Sequence, residues 1–216
     1  MRTASLKVAC AFSLLALGYI ADVNAGLVSY NNRAIFEAQG TIAENYGFED
    51  WGSGEFSSPG DPYTAHGVTY TSTPNMIIHA GPIYGNSSNI ITNNFWNPLS
   101  GTISGAYNML GFDLGILATT NLIDFSVTTN IATYNFNNTV VPNVNTGMEF
   151  YGFIAGAGET ITYMNFVSQG GLGSGPALDN VTLGNSGISS VPEPTSLALF
   201  GLGLVGLGAL RRRKTA

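Results

Sequence analysis

The sequence predicts an all-β fold, a single antiparallel β-sandwich or jelly roll. Between residues 26 and 190, short aromatic or β-branched runs alternate with segments rich in Gly, Asn, Ser and Thr. Short strands at this spacing, with turn residues between them, are typical of sandwiches and jelly rolls. The length is also sufficient for one domain with a hydrophobic core. We therefore expect one ectodomain at 26–185, followed by a short linker at 186–191.

The first expected element is a short helix near 31–39. Asn31 or Asn32 is a suitable N-cap for it, and Ile35 and Phe36 are expected to point inward. Ten strands should follow, because apolar and β-branched runs recur with turn residues between them. They are expected at 41–48, 67–72, 76–80, 89–93, 107–114, 121–128, 132–136, 148–154, 160–167 and 177–183.

Alternation is clearest in the run from 122 to 127. There Ile123, Phe125 and Val127 should share one face of a strand, with Leu122 and Asp124 on the other. A period of two residues is typical of a strand with one buried face, so this run supports the sandwich prediction.

The N-terminus has the pattern of a secretory signal peptide, predicted at 1–25. Arg2 and Lys7 form a positive region, 8–20 is apolar, and 23–25 has small residues near a cleavage site. The apolar run is too short for a membrane span. We expect export by the Sec route, cleavage by signal peptidase and a mature chain that starts at Gly26.

Cysteine chemistry is not expected in the mature domain. Cys10 is the only cysteine of the chain, and it lies inside the predicted signal peptide. After cleavage the domain has no thiol nucleophile, no disulfide and no cysteine metal ligand, although an exported protein can form disulfides.

Charge is distributed unevenly along the chain. Of the 13 acidic residues only Asp22 and Glu193 lie outside 26–190, and of the 7 basic residues only Arg33 lies inside it. Nucleic-acid binding depends on cationic side chains that displace counterions, so that class is excluded. An anionic membrane surface is excluded for the same reason. Polycations, divalent metals and neutral polysaccharides remain as partners.

The C-terminus has three successive segments, predicted to form one unit at 192–216. Pro-Glu-Pro at 192–194 precedes an apolar run at 196–210 and a cationic block at 211–214. As a helix, the apolar run would be about 22 Å long, shorter than the roughly 30 Å of a hydrocarbon core. It is a marginal transmembrane helix. A cationic block stays on the cytoplasmic side, so the rest of the chain should lie outside.

These segments together resemble the PEP-CTERM sorting signal of Gram-negative bacteria. The resemblance implies processing by an exosortase, with cleavage in or near 191–195 after brief retention in the inner membrane. It also implies a final place at the cell surface or in an extracellular, biofilm-associated matrix. An ordinary tail anchor is the alternative. The sorting motif is Val191, Pro192, Glu193 and Pro194, and the retention residues are Arg211, Arg212, Arg213 and Lys214.

The domain itself resembles the jelly-roll ectodomains of PEP-CTERM proteins and, more distantly, carbohydrate-binding-module sandwiches. The resemblance implies a structural calcium site shared by Glu49 and Asp179, with Asp50 adjacent. Calcium takes six to eight oxygen ligands, so backbone carbonyls would have to complete it. The alternative is that these carboxylates are solvated or cap turns. The segments that carry the resemblance are 47–49, 111–114, 150–154 and 178–183.

Catalysis is not expected, and no residue is assigned to it. His66 and His79 are the only histidines, and they are not closely paired for zinc. No Gly-x-Ser-x-Gly elbow indicates an activated serine. A secreted hydrolase with paired carboxylates is the least supported alternative. Its acids would come from Asp113, Asp124 and Glu149.

Two tryptophans are candidates for glycan contacts. Trp51 and Trp96 lie in loop-like stretches, and aromatic faces on loops can stack on sugar rings, while core or rim packing is the alternative. The sequence thus predicts an exported, non-enzymatic structural protein associated with exopolysaccharide. A carbohydrate-binding module that uses these aromatics is the second hypothesis.

Overall fold

A computed structural model describes residues 26–51, 58–72, 76–79, 88–93, 98–117, 121–170 and 174–187. Within them lie thirteen β-strands and one short α-helix, α1, at Arg33–Glu37. The strands in chain order are β1 Leu27–Tyr30, β2 Gly40–Tyr46, β3 Tyr63–Ala65, β4 Val68–Thr71, β5 Met76–His79, β6 Ile90–Asn93, β7 Leu99–Ile103, β8 Met109–Ile116, β9 Leu122–Thr129, β10 Thr133–Val140, β11 Glu149–Ala155, β12 Ile161–Ser168 and β13 Pro176–Ser186.

The strands form two sheets, and the predicted all-β sandwich is confirmed. A seven-stranded sheet has the order β1-β11-β8-β13-β6-β5, with β2 also paired to β13. A six-stranded sheet has the order β10-β9-β12-β7-β4-β3. The strand pairs of the described residues are antiparallel. Chain neighbours are often separated in the sheets, which is typical of a jelly-roll-like sandwich.

The core lies between the two sheets and is rich in aromatic rings. Phe112 on β8 meets Phe166 on β12 edge to face, with ring centroids 5.0 Å apart, and Phe125 on β9 lies 6.1 Å from Phe112. Along β9 the alternation is as predicted, because Ile123, Phe125 and Val127 are buried while Leu122 and Asp124 are half-buried. Burial of such rings is the main stabilising contribution available to a chain without disulfides.

Helix α1 packs on the outer face of the seven-stranded sheet, over β8 and β11. Asn32 is its N-cap, and its side chain accepts a hydrogen bond of 3.0 Å from the Ile35 N–H. Phe36 is fully buried against Phe150 of β11, with ring centroids 5.5 Å apart. The inward placement of Ile35 is wrong, since this side chain is 43% exposed. A five-residue helix directs only a narrow stripe at the sheet, and here Phe36 fills it.

All ten expected strands are present, with ends shifted by a few residues. Strands β1, β3 and β7 were not predicted from the sequence. Strand β7 is interrupted in sequence by Gly101, which is required because a Cβ there would lie 2.6 Å from the Met164 side chain. Strand β3 has three residues, too few for a period to be recognised.

The predicted signal peptide at 1–25 and the predicted apolar helix at 196–210 lie outside the described residues. Within the described ranges, no helix is long and apolar enough to cross a membrane.

Candidate functional site

Three carboxylates converge on the outer face of the seven-stranded sheet. Asp113 on β8 and Asp179 on β13 are register partners, and Glu49 follows β2 in a short turn. After Asp179 the register of β13 shifts, and Asn180 has a positive φ of 47°. Such a bulge re-aims the neighbouring side chains, and it places Asp179 where only 2% of its surface remains exposed.

Ser88 joins two of these acids. Its Oγ lies 2.8 Å from Glu49 Oε1 and 2.5 Å from Asp179 Oδ2. The Asn89 N–H donates to Glu49 Oε1 at 2.9 Å, and the Asn180 N–H donates to Asp179 Oδ1 at 2.6 Å. Glu49 and Asp179, far apart in sequence, are thus neighbours in the fold.

The Ser88 hydroxyl has one proton and therefore donates to one acceptor at a time. With both acids ionised, the second contact would set a hydroxyl lone pair against a carboxylate oxygen. A proton on Asp179 removes this repulsion, and so does a cation. The pKa of Asp179 is raised to about 6, chiefly by burial and to a lesser extent by the charges of Asp113 and Glu49, while the hydrogen bonds from Ser88 and Asn180 lower it.

Asp50 lies in a different environment. Its Oδ1 accepts a hydrogen bond of 2.6 Å from the Tyr46 hydroxyl, which also contacts the Tyr63 hydroxyl at 2.6 Å. No group of three or more His, Cys, Asp or Glu side chains within the described part of the chain is arranged to hold a metal. A calcium site at Glu49 and Asp179 stays a prediction. Hydroxyl or backbone oxygens would have to supply the ligands that these two acids do not.

Arg33 anchors the third acid. One guanidinium nitrogen donates to Asp113 Oδ1 at 2.9 Å and to the Asn180 carbonyl at 3.1 Å, and the other donates to Thr182 Oγ1 at 2.8 Å. The guanidinium also lies over the Phe150 ring, 4.5 Å from its centroid. The one basic residue of 26–190 is therefore used to fasten α1 to the sheet. Arg33, Ser88 and Asn180 were not predicted as site residues, because they come together only in the fold.

The acids considered for hydrolysis are separated. Asp113 lies on the outer face of the seven-stranded sheet beside Arg33, whereas Asp124 lies on the six-stranded sheet and accepts a 2.6 Å bond from the Asn138 N–H. Glu149 accepts a bond of 3.1 Å from the Tyr151 hydroxyl. The fold does not bring Asp113 and Asp124 into one pair of the kind that glycosidases use.

His66 contacts a carboxylate and an aromatic ring. His66 Nδ1 lies 2.9 Å from Glu44 Oε2, and the ring stacks on Tyr46 with centroids 4.4 Å apart. For His79 only the backbone is described, in β5.

Trp51 packs at the rim of the sandwich. Its indole N–H donates to the Tyr63 hydroxyl at 3.0 Å, and its ring meets Tyr63 edge to face with centroids 5.5 Å apart. It also contacts the main core cluster. Trp96 lies outside the described residues. Stacking of either ring on glycan stays a prediction.

Residues 190–214 match the family model described as the PEP-CTERM protein-sorting motif. The predicted sorting signal is confirmed. The motif indicates export and a membrane-anchored sorting stage, and it includes the Pro-Glu-Pro, the apolar run and the cationic block. No curated protein matches the chain.

Solved structures similar to this chain include carbohydrate-binding modules. A point mutant of CBM29-2 aligns with a TM-score of 0.39 and 13% identity, over 65% of this chain and 99% of the module. A second mutant, complexed with mannohexaose, gives 0.37 and 15%, over 68% and 93%. A family 29 carbohydrate-binding module gives 0.35 and 13%, over 68% and 88%. The fold assignment rests on the two sheets themselves.

Proposed function

We propose that this protein is exported, cut at its C-terminus by an exosortase and left at the cell surface or in an extracellular polysaccharide matrix as a non-enzymatic structural component. The observation that carries the proposal is the sorting motif at 190–214. A stable sandwich on the N-terminal side of such a motif is what would remain after processing.

The proposed processing uses the three tail segments in different ways. Pro192 and Pro194 keep the cleavage region extended, because proline and the residue before it disfavour helix. The apolar run at 196–210 holds the chain in the inner membrane, and the cations at 211–214 fix its orientation. Cleavage in or near 191–195 then separates the ectodomain from the membrane.

A structural role is supported by how the polar groups of the domain are used. Asp113 is paired with Arg33, and Asp124 and Glu149 have separate partners. Groups held in this way stabilise the fold and are poorly placed to act on a shared substrate atom.

We also propose a structural calcium ion at Glu49 and Asp179. The supporting observation is that both carboxylates contact the single hydroxyl of Ser88, at 2.8 and 2.5 Å. A divalent cation would balance the acids there and stabilise the turn after β2 against β13. Carboxylate, hydroxyl and carbonyl oxygens are the donors that calcium prefers.

Cell fractionation tests the sorting proposal. The full chain is expressed in a strain with an active exosortase and in one without it, and the inner membrane, the surface and the medium are probed separately. Wild type should leave the membrane only where exosortase is active. Pro192→Ala with Pro194→Ala should remain in the membrane at full length, while Thr215→Ala, a control beyond the cationic block, should behave as wild type. Equal release of the proline variant, or release without exosortase, would refute the proposal.

A further inference from the structure

The outer face of the six-stranded sheet carries two rows of uncharged polar side chains. The strand registers align these residues across the sheet. The first row has one residue from each of the six strands, and the second row has one residue from each of five strands. The first row is Thr64, Thr69, Thr102, Tyr163, Thr128 and Thr133. The second row is Thr71, Ser100, Asn165, Ser126 and Asn135.

This neutrality contrasts with the rest of the domain. The stretch 26–190 has eleven acidic residues and one basic residue, and none of them lies in either row. On β9 the next outward residue beyond the second row is Asp124, which is engaged by the Asn138 N–H and by the Gln169 amide. Charge is therefore kept to the margin of this face.

The rows are accessible. Thr64, Thr102 and Thr133 in the first row are exposed, as are Thr71 and Asn135 in the second. Ser100 is the most covered member, at 9% exposure. The inward residues between them belong to the main core cluster, so the outward direction of the rows follows from the alternation of each strand.

Several hydroxyls on this face are already ordered by one another. Thr64 and Thr69 are 3.0 Å apart, Thr71 and Ser100 are 2.7 Å apart, and Thr128 and Thr133 are 3.0 Å apart. One proton serves each contact. The Thr64–Thr69 and Thr128–Thr133 pairs therefore keep a second hydroxyl proton and free lone pairs, whereas the Ser100 hydroxyl also donates to the Thr71 carbonyl at 3.4 Å. Threonine side chains are also stiff at χ1. The groups thus lose little freedom when a ligand binds, which favours affinity.

We propose that this face binds an extended, neutral polysaccharide. Sugar hydroxyls both donate and accept hydrogen bonds, as do the threonine and serine hydroxyls and the asparagine amides here, and neither side has a charge to neutralise. The six strands of the first row span about 24 Å at roughly 4.8 Å per strand. Tyr163 sits near the middle of that row and adds an aromatic surface for a sugar ring.

A second copy of this chain fits the face less well. Cores of protein interfaces are apolar and aromatic, while the two rows offer one aromatic ring among hydroxyls and amides. An anionic polymer is disfavoured by the strongly acidic domain around the rows. The inference rests on the proposed location outside the cell and identifies the surface by which the protein would hold to a polysaccharide matrix.

The test is retention of the purified full chain, kept in mild detergent, on two insoluble neutral polysaccharides, microcrystalline cellulose and mannan. Alginate beads serve as the anionic comparison. Wild type should be retained on at least one neutral polymer. Thr102→Glu with Asn135→Glu places two charges in the rows at positions without other side-chain bonds, and should weaken retention about tenfold or more.

The matched control is Thr41→Glu with Asn145→Glu, which adds the same charge at exposed positions away from the six-stranded sheet. It should be retained as wild type. Thr102→Val provides a variant of unchanged charge and nearly unchanged shape, and should weaken retention severalfold even if the double glutamate variant fails to fold.

Three results would overturn the inference. The first is that wild type is retained on neither neutral polymer, and the second is that Thr102→Val and the folded double glutamate variant bind as wild type. The third is that the substitutions change only the sedimentation of the chain, which would make the face a self-contact. The masses of the processed protein report separately on sorting, so a failure of binding is distinguishable from a failure of the proposed function.

Discussion

Asp179 is the residue where protonation and folding are most directly coupled. Burial raises the pKa of its carboxyl from 3.8 in the unfolded chain to about 6 in the fold. The folded state therefore holds the proton more tightly, and its stabilising effect is complete below about pH 4 and is lost as the pH rises through 6. Two pKa units correspond to about 3 kcal/mol at most.

Denaturant unfolding in EDTA from pH 4 to pH 8 measures this effect. The free energy of unfolding of wild type should fall between pH 4 and pH 6, and this fall should be absent in Asp179→Asn. The amide can still donate to Ser88 and accept from the Asn180 N–H, so the variant should fold. Identical pH profiles for wild type and variant would show that Asp179 ionises as a normal acid.

The proposed calcium site predicts that the melting temperature depends on calcium through Asp179. A bound ion at 100 times its dissociation constant stabilises a protein by about 2.7 kcal/mol. Thermal melting at neutral pH with calcium and with chelator should therefore show a shift in wild type that is absent in Asp179→Asn. Asp50→Asn should keep the shift, because Asp50 is bonded to Tyr46 instead. A melting temperature of wild type that saturating calcium leaves unmoved would contradict the site.

At the scale of elements, the contact between α1 and the seven-stranded sheet depends on glycines. A Cβ at Gly152 of β11 would lie 2.7 Å from the Phe36 ring, whereas one at Gly187 would meet nothing within 4 Å. Gly152→Ala should lower the free energy of unfolding by about 2 kcal/mol through overpacking, and Gly187→Ala should have little effect. Urea unfolding measures both.

A second substitution checks the cause of this loss. Phe36→Leu removes part of the ring that the new methyl group would meet, so Gly152→Ala should cost less in the Phe36→Leu background than in wild type. Additive losses in the double variant would mean that the cost does not arise at Phe36 but at the Phe150 ring, 2.9 Å from the same Cβ, or in the backbone.

Strand positions were predictable to the extent that one face of the strand is apolar. Strand β9 alternates cleanly, and its inward residues are the buried ones. Strand β7 was not recognised because its inward position 101 is a glycine, which leaves no apolar mark in the sequence although it packs on Met164. Ile35 was misplaced because a single helical turn gives too few residues to distinguish one face from its neighbour.

Sites formed by residues that strand pairing brings together are the hardest part of the molecule to predict from the sequence. The resemblance to known sandwiches suggested Glu49 and Asp179 as neighbours, but Ser88, which joins them, lies in no sequence pattern that points to an acid or a metal. The two polar rows likewise depend on which residue of one strand faces which residue of the next. Residues 69 and 71 show a hydroxyl-x-hydroxyl pattern in sequence, and the alignment of that pattern across the sheet appears only in the fold.

At the scale of the whole molecule, the chain combines an acidic sandwich with a tail that carries a sorting motif. Arg33, the one basic residue of 26–190, is bonded to Asp113 within the domain. The two polar rows on the outer face of the six-stranded sheet are uncharged. The tail supplies the membrane stage and the cleavage signal. This division predicts that the ectodomain operates outside the cell after it has lost the segments at both ends.

Intact mass spectrometry of the protein recovered from the cell surface and from the extracellular matrix tests this account most directly. The predicted product begins near Gly26 and ends in or near 191–195, without the apolar run and the cationic block. A membrane-bound chain that still ends at Ala216, with no shorter form outside, would show that the tail is a permanent anchor and would contradict the proposed place in the matrix.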